Sequence, residues 1–265
     1  MLNNLPDSIP KDLITPDILE PYDPRIRQVR NSHYLQDLKQ ALEAGTYRER
    51  FPVGTRIPDL WKDRNNYKLY IVPQIIVDYR TVQTNEHGDR LGAILLQQNA
   101  SFRETVFDYD HKNDFMQSRL KWDCNDVKSF RWHQTGPSAN LLDATTVVLV
   151  DGVPMRFFPP SLEELHFDIK LYEYPSLREH LDTYENPELD QQAWEYFRDT
   201  PIDVDARCSK RVFRTPEGRA QTCWLRDSHW LLSNDAWVVS AVGNADHRYV
   251  GFKYACVMAS VIVAD

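Results

Sequence analysis

The stretch that decides the fold lies near the C-terminus, where residues 222–263 read TCWLRDSHWLLSNDAWVVSAVGNADHRYVGFKYACVMASVIV. Valine, isoleucine, tryptophan and tyrosine recur in the runs 222–226, 236–242 and 249–263, which is the composition of β-strands. The polar runs 227–235 and 243–248 are predicted to be connecting links. The last third of the chain is therefore predicted to be a sheet of short strands.

Working outward from this stretch, the next strand signal lies in the first half of the chain. Residues 67–84 and 90–96 are rich in isoleucine, valine and tyrosine, and they flank the turn sequence Asn-Glu-His-Gly at 85–88. This pattern predicts a β-hairpin.

Two helical signals flank the hairpin in sequence. Asn31 or Ser32 is placed to cap a helix with one apolar face that ends at Gly45. In the run 159–165, Ser161 and Glu164 have the spacing of a capping box, so we expect a helix to start there. Helices interspersed with strands predict the α+β class, with small antiparallel sheets and flanking helices.

The domain organisation follows from length and from the positions of proline. A chain of 265 residues is long enough for one sizeable domain. Residues 1–30 contain five prolines, and we expect an extended, proline-rich N-terminal arm. Residues 31–265 are predicted to form one domain, with 172–200, acidic and aromatic, as a helical insertion.

Composition excludes several classes of function. The net charge is −8, from 39 acidic and 31 basic residues, so the chain lacks the basic surface that nucleic acid requires. Glycine is scarce, at nine residues, and no glycine-rich phosphate-binding motif is present. The longest apolar run, 255–264, is too short for membrane insertion, and the N-terminus does not resemble a signal peptide.

The sequence contains no pattern that identifies a catalytic or metal site. Its four cysteines lack the close spacing of zinc ligands, and its eight histidines are dispersed. His111, in an acidic loop, is more typical of a surface residue than of a metal ligand. We therefore predict no catalytic residue, no metal and no cofactor.

Unusual side chains concentrate between residues 224 and 252. Trp224 is expected in the core because it lies inside a strand, whereas Trp230 and Trp237 either fill the core or contact a ligand. Aromatic rings interleaved with asparagine, aspartate and histidine are typical of binding surfaces. The predicted ligand-binding residues are Trp230, Asn234, Asp235, Trp237, Asn244, Asp246, His247 and Tyr249.

The order of several short motifs resembles the C-type-lectin fold, in its formylglycine-generating-enzyme-like branch. The C-terminal part of the resemblance is Trp224-Leu-Arg-Asp227, then Ala236-Trp-Val-Val-Ser240, and finally Val250-Gly-Phe-Lys253. It extends upstream to Phe51-Pro-Val-Gly54, Ser118-Arg-Leu-Lys-Trp122 and Phe157-Phe-Pro-Pro-Ser-Leu-Glu-Glu-Leu165. The resemblance implies a single C-type-lectin-like domain.

The chain also departs from that family. Lys253 stands where arginine is usual and Asp227 where serine is common, and neither the copper-binding cysteine pair nor the calcium signatures of sugar-binding lectins are recognisable. These departures favour a non-enzymatic, metal-independent member.

The resemblance implies a display or virion structural protein, because related domains occur in gut bacteria and phages and include tropism determinants and retroelement-diversified proteins. The expected partners are a protein or glycan ligand at the C-terminal loops and other virion subunits at the arm. The expected location is the virion after synthesis in the host cytoplasm, or otherwise the cytoplasm. Two alternatives remain: a copper-dependent cysteine oxidase using Cys223 and Cys256, and a purely structural assembly subunit.

Overall fold

The fold consists of two β-sheets with short flanking helices. The computed structural model describes residues 24–30, 33–63, 69–97, 104–125, 132–134, 145–215 and 217–264. The predicted α+β class is therefore confirmed. The strands are β1 (Arg56–Asp63), β2 (Leu69–Thr84), β3 (Gly88–Gln97), β4 (Thr105–Val106), β5 (Trp132–Gln134), β6 (Val148–Val150), β7 (Val153–Met155), β8 (Cys223–Ser228), β9 (Asp235–Val239), β10 (Ala245–Tyr249), β11 (Lys253–Cys256) and β12 (Ala259–Val263).

The first sheet has the order β12-β3-β2-β1-β5, with the β6–β7 hairpin attached to β2. Its centre is the predicted hairpin of β2 and β3. The Thr84 hydroxyl oxygen accepts a hydrogen bond from the His87 N–H at 2.9 Å, which helps to close the turn. The C-terminal strand β12 pairs antiparallel with β3 and is buried along its whole length, so the end of the chain returns to its early hairpin.

The second sheet has the order β10-β9-β8-β11-β4, and β11 runs parallel to β8. Trp224 of β8 lies at its centre and is fully buried. Its indole N–H donates to the Thr105 carbonyl at 2.8 Å, and its ring contacts Phe107 and Tyr254 edge-on. The expectation that Trp224 belongs to the core is confirmed.

Short helices cover these sheets, and none in the described ranges is long and apolar enough to cross a membrane. Leu35, Leu38 and Leu42 bury one face of the second helix, as the apolar spacing predicts. The α-helices are α1 (Pro24–Arg30), α2 (Tyr34–Glu43), α3 (Tyr47–Arg50), α4 (Arg119–Asn125), α5 (Ile169–Glu173) and α6 (Pro187–Gln192), and 3₁₀ turns span Phe115–Gln117, Pro175–His180, Glu195–Phe197 and Ser209–Arg211.

The structure corrects the N-terminal prediction in two places. Residues 24–30 form α1 instead of the end of an extended arm, because Pro24 suits a first helical position and Ile26 and Val29 are buried on one face. The rest of the predicted arm, residues 1–23, lies outside the described residues. His33 is the residue that precedes α2, and it makes no side-chain cap, while the expected caps at 31 and 32 are also outside the described residues.

Two further elements differ from prediction. The predicted link at 243–248 contains β10, because its polar residues occupy a strand at the sheet edge, where only part of the strand is buried. At Ser161 the capping box forms as predicted, with Ser161 N–H donating to Glu164 and Glu164 N–H donating to the Ser161 hydroxyl. The chain nevertheless continues there as a turn, and α5 starts only after Asp168, which caps it.

An ion-pair network joins the β8 strand to this turn. The Arg226 guanidinium binds the Glu164 carboxylate through two nitrogens, and its Nε lies 3.0 Å from Asp151. The neighbouring Asp227 carboxylate accepts the Leu162 N–H at 2.7 Å. Burial, reinforced by the nearby Glu163 charge, raises the pKa of Asp227 to about 7.

This raised pKa predicts a pH-dependent stability. The folded state favours the protonated acid, so the stabilisation is present at low pH and is lost as the pH rises through about 7. Asp227→Asn retains an oxygen that accepts the Leu162 N–H, and its melting temperature should exceed that of the wild type by an amount that grows from about pH 4 to about pH 7 and stays constant above. Thermal melts across this range test the prediction. Glu163→Gln should reduce this difference in melting temperature, because it removes the charge that helps to raise the pKa of Asp227. A difference that does not change with pH would contradict the raised pKa.

A close backbone contact at Gly243 predicts a large destabilisation. Gly243 has φ +82°, and a Cβ there would lie 2.0 Å from the Cys208 carbonyl oxygen. Gly152 has a similar φ of +80° but nothing within 4 Å, so it is the matched control. Gly243→Ala should lose roughly 3 kcal/mol or more in urea unfolding, against about 1–2 kcal/mol for Gly152→Ala. Equal losses would show that only backbone strain matters.

Candidate functional site

Three segments meet beside the second sheet and form a continuous surface, which we call the loop platform (residues 107–113, 228–234 and 249–252). The Val250 N–H donates to the Asn234 carbonyl at 2.9 Å, and the Val250 carbonyl accepts the Phe107 N–H at 2.9 Å. The Asn113 N–H donates to the Ser233 carbonyl at 3.2 Å. Each segment is therefore hydrogen-bonded to at least one of the others.

Asn113 is the main polar contact inside the platform. Its side-chain amide nitrogen lies 2.8 Å from the His229 carbonyl oxygen and 2.9 Å from those of Leu232 and Asp235. Its own carbonyl accepts the Ser228 hydroxyl. One side chain thus satisfies backbone groups along a whole loop, which fixes the shape of that loop.

The platform exposes an apolar surface to solvent. The consecutive residues Trp230 and Leu231 are 56% and 64% exposed, and Leu232 follows them at 42%. Tyr109 and Phe252, from the other two segments, are also more than half exposed. Exposed apolar residues on adjoining loops are typical of an interaction surface.

A stacked aromatic pair joins the outer two segments. The rings of His111 and Tyr249 have centroids 5.2 Å apart, and the Tyr249 hydroxyl lies 2.8 Å from His111 Nδ1. Gly251 packs against both rings, so that an added Cβ would lie 2.7 Å from Tyr249 and 3.2 Å from His111. His111 is thus a surface residue that supports Tyr249, and among the residues that the structure describes it belongs to no group that could hold a metal ion.

A second aromatic cluster lies beneath the platform. Trp237 is only 1% exposed and stacks on His229, which in turn lies against His247 with ring centroids 4.4 Å apart. Tyr172 contacts all three rings edge-on. Of the two possible roles for Trp237, the structure therefore supports the core one, and this ring stabilises the platform from below instead of contacting a ligand.

Asp235 and His247 form an oriented pair within this cluster. Asp235 Oδ2 lies 2.8 Å from His247 Nδ1, and His247 Nε2 lies 3.4 Å from the Tyr172 hydroxyl. This arrangement could orient an imidazole as a base. Tyr172, His229 and Trp237 pack against the His247 ring, whose side chain is still 29% exposed. The interactions of the pair join β9, β10 and α5.

The structure separates the eight predicted ligand-binding residues. Trp230, Asn234 and Tyr249 lie on the platform, while Asp235, Trp237 and His247 lie beneath it. Asn244 lies in the turn after β9, at the opposite end of that strand from Trp230, and bonds to Ser240 and Ala245. It therefore cannot share a compact binding surface with Trp230.

Asp246 is also committed to a structural role. It lies on β10, an edge strand of the second sheet, where its carboxylate accepts the His247 N–H at 2.8 Å and pairs with Arg248. Arg248 donates to the His247 carbonyl at 2.9 Å. These two side chains occupy backbone groups that would otherwise be open to another strand.

The cysteines do not form an accessible redox or copper site. Cys223 and Cys256 are both fully buried, and Cys256 Sγ lies 3.9 Å from Cys124 Sγ. Burial raises the pKa of Cys223 and of Cys124, which keeps both as thiols. Within the described ranges, no three histidine, cysteine or acidic side chains are grouped to hold a metal ion.

Two platform residues and one residue of the cluster beneath it were not predicted from the sequence. Asn113 and Tyr109 of the platform, and Tyr172 of the cluster, lie far in sequence from the C-terminal stretch and carry no motif that links them to it. Leu231 and Leu232 gave a usable signal, since two leucines beside a tryptophan in a predicted link are unusual for a solvent-exposed turn.

Comparison with known proteins gave no relative: no protein-family profile, curated protein or solved structure matches the chain.

The three carbonyl contacts of Asn113 predict that its replacement will loosen the platform. Asn113→Ala should lower the free energy of unfolding by about 1–3 kcal/mol, because the amide no longer ties the 107–113 segment to the loop carbonyls. Asn113→Asp should lose at least as much, since a carboxylate would face three carbonyl oxygens. Urea unfolding measures both.

The control for this experiment is Asn85→Ala, in the exposed β2–β3 turn, which should change stability by less than about 0.5 kcal/mol. An Asn113→Asp variant as stable as the wild type would show that the amide does not support the platform.

Proposed function

We propose that the chain is a non-catalytic ligand-binding protein and that its loop platform docks a protein partner. The observation that carries this proposal is the exposed run Trp230-Leu231-Leu232, at 56%, 64% and 42%, on a loop held in one shape by Asn113. Neither the fold nor the core requires these side chains to face solvent. Burying these side chains against a partner would provide the favourable free energy of apolar burial, which they lack in the free protein.

The rigidity of the loop supports this reading. A binding surface that is ordered before it meets its partner loses less conformational entropy on binding. Asn113 bonds the loop to the 107–113 segment, and His229 accepts the N–H groups of Leu231 and Leu232 from inside. The apolar side chains are therefore presented on a preorganised backbone.

The chemistry of the platform favours a protein over a glycan. Glycan sites pair aromatic rings with several free polar groups, whereas Leu231 and Leu232 offer only aliphatic surface. The polar side chains of Asn113 and His111 already bond within the platform. Asp110, Lys112 and Asn234 are exposed as well, but the most prominent exposed run, Trp230-Leu231-Leu232, is apolar. A glycan ligand is for this reason the less favoured outcome of the test below.

We extend the proposal to the C-type-lectin-like fold and to a virion component. The return of β12 to the early hairpin, the Trp224-Leu-Arg-Asp227 core strand and the display of loops beside it support this fold assignment. The virion assignment rests on the motif resemblance. Its test is the genomic neighbourhood, where capsid or tail genes support it and a metabolic operon contradicts it.

The two alternatives receive less support. A copper-dependent oxidase needs accessible thiolates, whereas Cys223 and Cys256 are buried. A purely structural assembly subunit would dock on its neighbours through the N-terminal arm and would have no free ligand. Deletion of residues 1–30 should then abolish oligomers, and a variant that associates like the full chain contradicts that alternative.

The platform proposal predicts a large effect of two exposed side chains on binding. The wild type is screened on arrays of surface proteins and of glycans, and the retained component is titrated with Trp230→Ala and Leu231→Ala. Trp230→Ala should weaken binding roughly thirty-fold or more if its ring is a central contact. Both positions are exposed, so stability should change by less than about 0.5 kcal/mol.

The control variants remove apolar side chains that are also exposed, at 38% for Tyr34 and 46% for Val242, but lie outside the platform. Tyr34→Ala on α2 and Val242→Ala after β9 should bind as the wild type does. If the Trp230 variant keeps full affinity, or if the controls lose as much, the platform is not the docking surface. Retention of a glycan alone would overturn the choice of a protein partner.

A further inference from the structure

One buried histidine holds the exposed run of the loop platform from inside. His229 is 2% exposed, and its Nδ1 lies 3.3 Å from the Leu231 N and 3.1 Å from the Leu232 N. Backbone N–H groups can only donate, so Nδ1 must act as an acceptor in both contacts. The conformation of the Trp230–Leu232 run therefore depends on a lone pair of this imidazole.

This geometry fixes the protonation state of the ring. A neutral imidazole with a free Nδ1 lone pair carries its proton on Nε2, and this nitrogen is buried without a hydrogen-bond partner among the described residues. A second proton would have to be placed on Nδ1, where it would face two other donors. Protonation of His229 and retention of the loop contacts are therefore mutually exclusive.

The groups around His229 oppose its protonation at neutral pH. His247, on β10, lies against it, and Asp235, on β9, pairs with His247. Tyr172, on α5, packs edge-on against the His229 ring, and the uncharged amide of Asn113 lies next to the His229 carbonyl. Burial, aided by His247 and opposed by Asp235, lowers the pKa of His229.

We propose that His229 is a pH-sensitive acceptor that holds the Trp230–Leu232 run in its docking shape when neutral and releases it when protonated. The consequence for docking rests on the proposed function, whereas the release of the loop does not. Because the folded ring binds its proton less readily than an unfolded one, its stabilising contribution is present above about pH 6.5 and is lost on acidification. Partner binding at the platform should therefore weaken in acid.

The loop is tested first in the free wild-type protein. Ring ¹⁵N shifts of His229 should report the Nε2–H tautomer at about pH 7.5. The amide signals of Leu231 and Leu232 should shift together with the protonation of that ring, at a pH where the rest of the chain keeps its native spectrum. A ring in the Nδ1–H tautomer, or loop amides unchanged while the ring titrates, would overturn the proposal.

Two variants separate this role from simple packing. His229→Asn supplies a side-chain oxygen that accepts the same N–H groups without titrating, so its loop amides should not respond to acid. His247→Asn removes the residue whose electrostatic effect lowers the pKa of His229 and retains Asp235, which raises that pKa, so the loop transition should move to higher pH. If His229→Asn does not fold, the wild-type titration and the His247→Asn shift still decide the outcome.

Binding is the second measurement. The component retained on the array should bind wild-type protein roughly tenfold more weakly at about pH 5 than at about pH 7.5, because the loop contacts are lost. Platform binding without this pH effect would overturn the inference alone. A loop transition seen by NMR in a protein that binds nothing on either array would overturn the proposed function alone.

Discussion

The buried indole of Trp224 is the contact on which the rest of the structure depends. An indole N–H removed from water needs an acceptor, and here the acceptor is the Thr105 carbonyl, 2.8 Å away and 119 residues distant in sequence. This bond joins the core strand β8 to the short strand β4. Because β4 leads directly into residues 107–113, this core interaction determines the position of one of the three platform segments.

The platform is thus rigid for reasons that originate in the core. Trp237 packs beneath it on the same sheet as Trp224, and His229 stacks on Trp237 while its Nδ1 holds the loop backbone. Asn113 bonds the loop from the opposite side. A buried layer and a surface amide therefore restrain one loop together, and its apolar residues remain exposed on a fixed backbone.

Strand composition and turn chemistry were sufficient to predict much of the fold. The β2–β3 hairpin, helix α2 and the core position of Trp224 all follow from local patterns whose physical basis is short-range. The failures occur where tertiary contacts outweigh the local signal. Residues 245–249 form a strand although most of them are polar, because an edge strand is only partly buried. The Ser161–Glu164 capping box closes a turn instead of starting a helix, and the Glu164 carboxylate is also bound by Arg226.

The candidate site was predictable in region but not in detail. The aromatic and polar residues between 224 and 252 left the roles of Trp230 and Trp237 open, and the structure exposes the first and buries the second. Strand direction places Asn244 at the far end of β9. Sequence alone also gave no means of pairing His111 with Tyr249 or Asn113 with Leu232, since such contacts depend on how β4 joins the sheet.

The second sheet offers two surfaces on which a partner can dock, and the side chains on each distinguish them. At the edge, Asp246 and Arg248 occupy the N–H and the carbonyl of His247, and Ala245 donates to the Val204 carbonyl, so an added strand would have to displace these bonds. At the platform, the N–H groups of Leu231 and Leu232 and the carbonyls of His229 and Leu232 are already hydrogen-bonded within the protein, while the apolar side chains of the Trp230–Leu232 run face solvent. A partner docking there gains apolar burial without breaking a hydrogen bond, which makes the platform the less costly surface to cover.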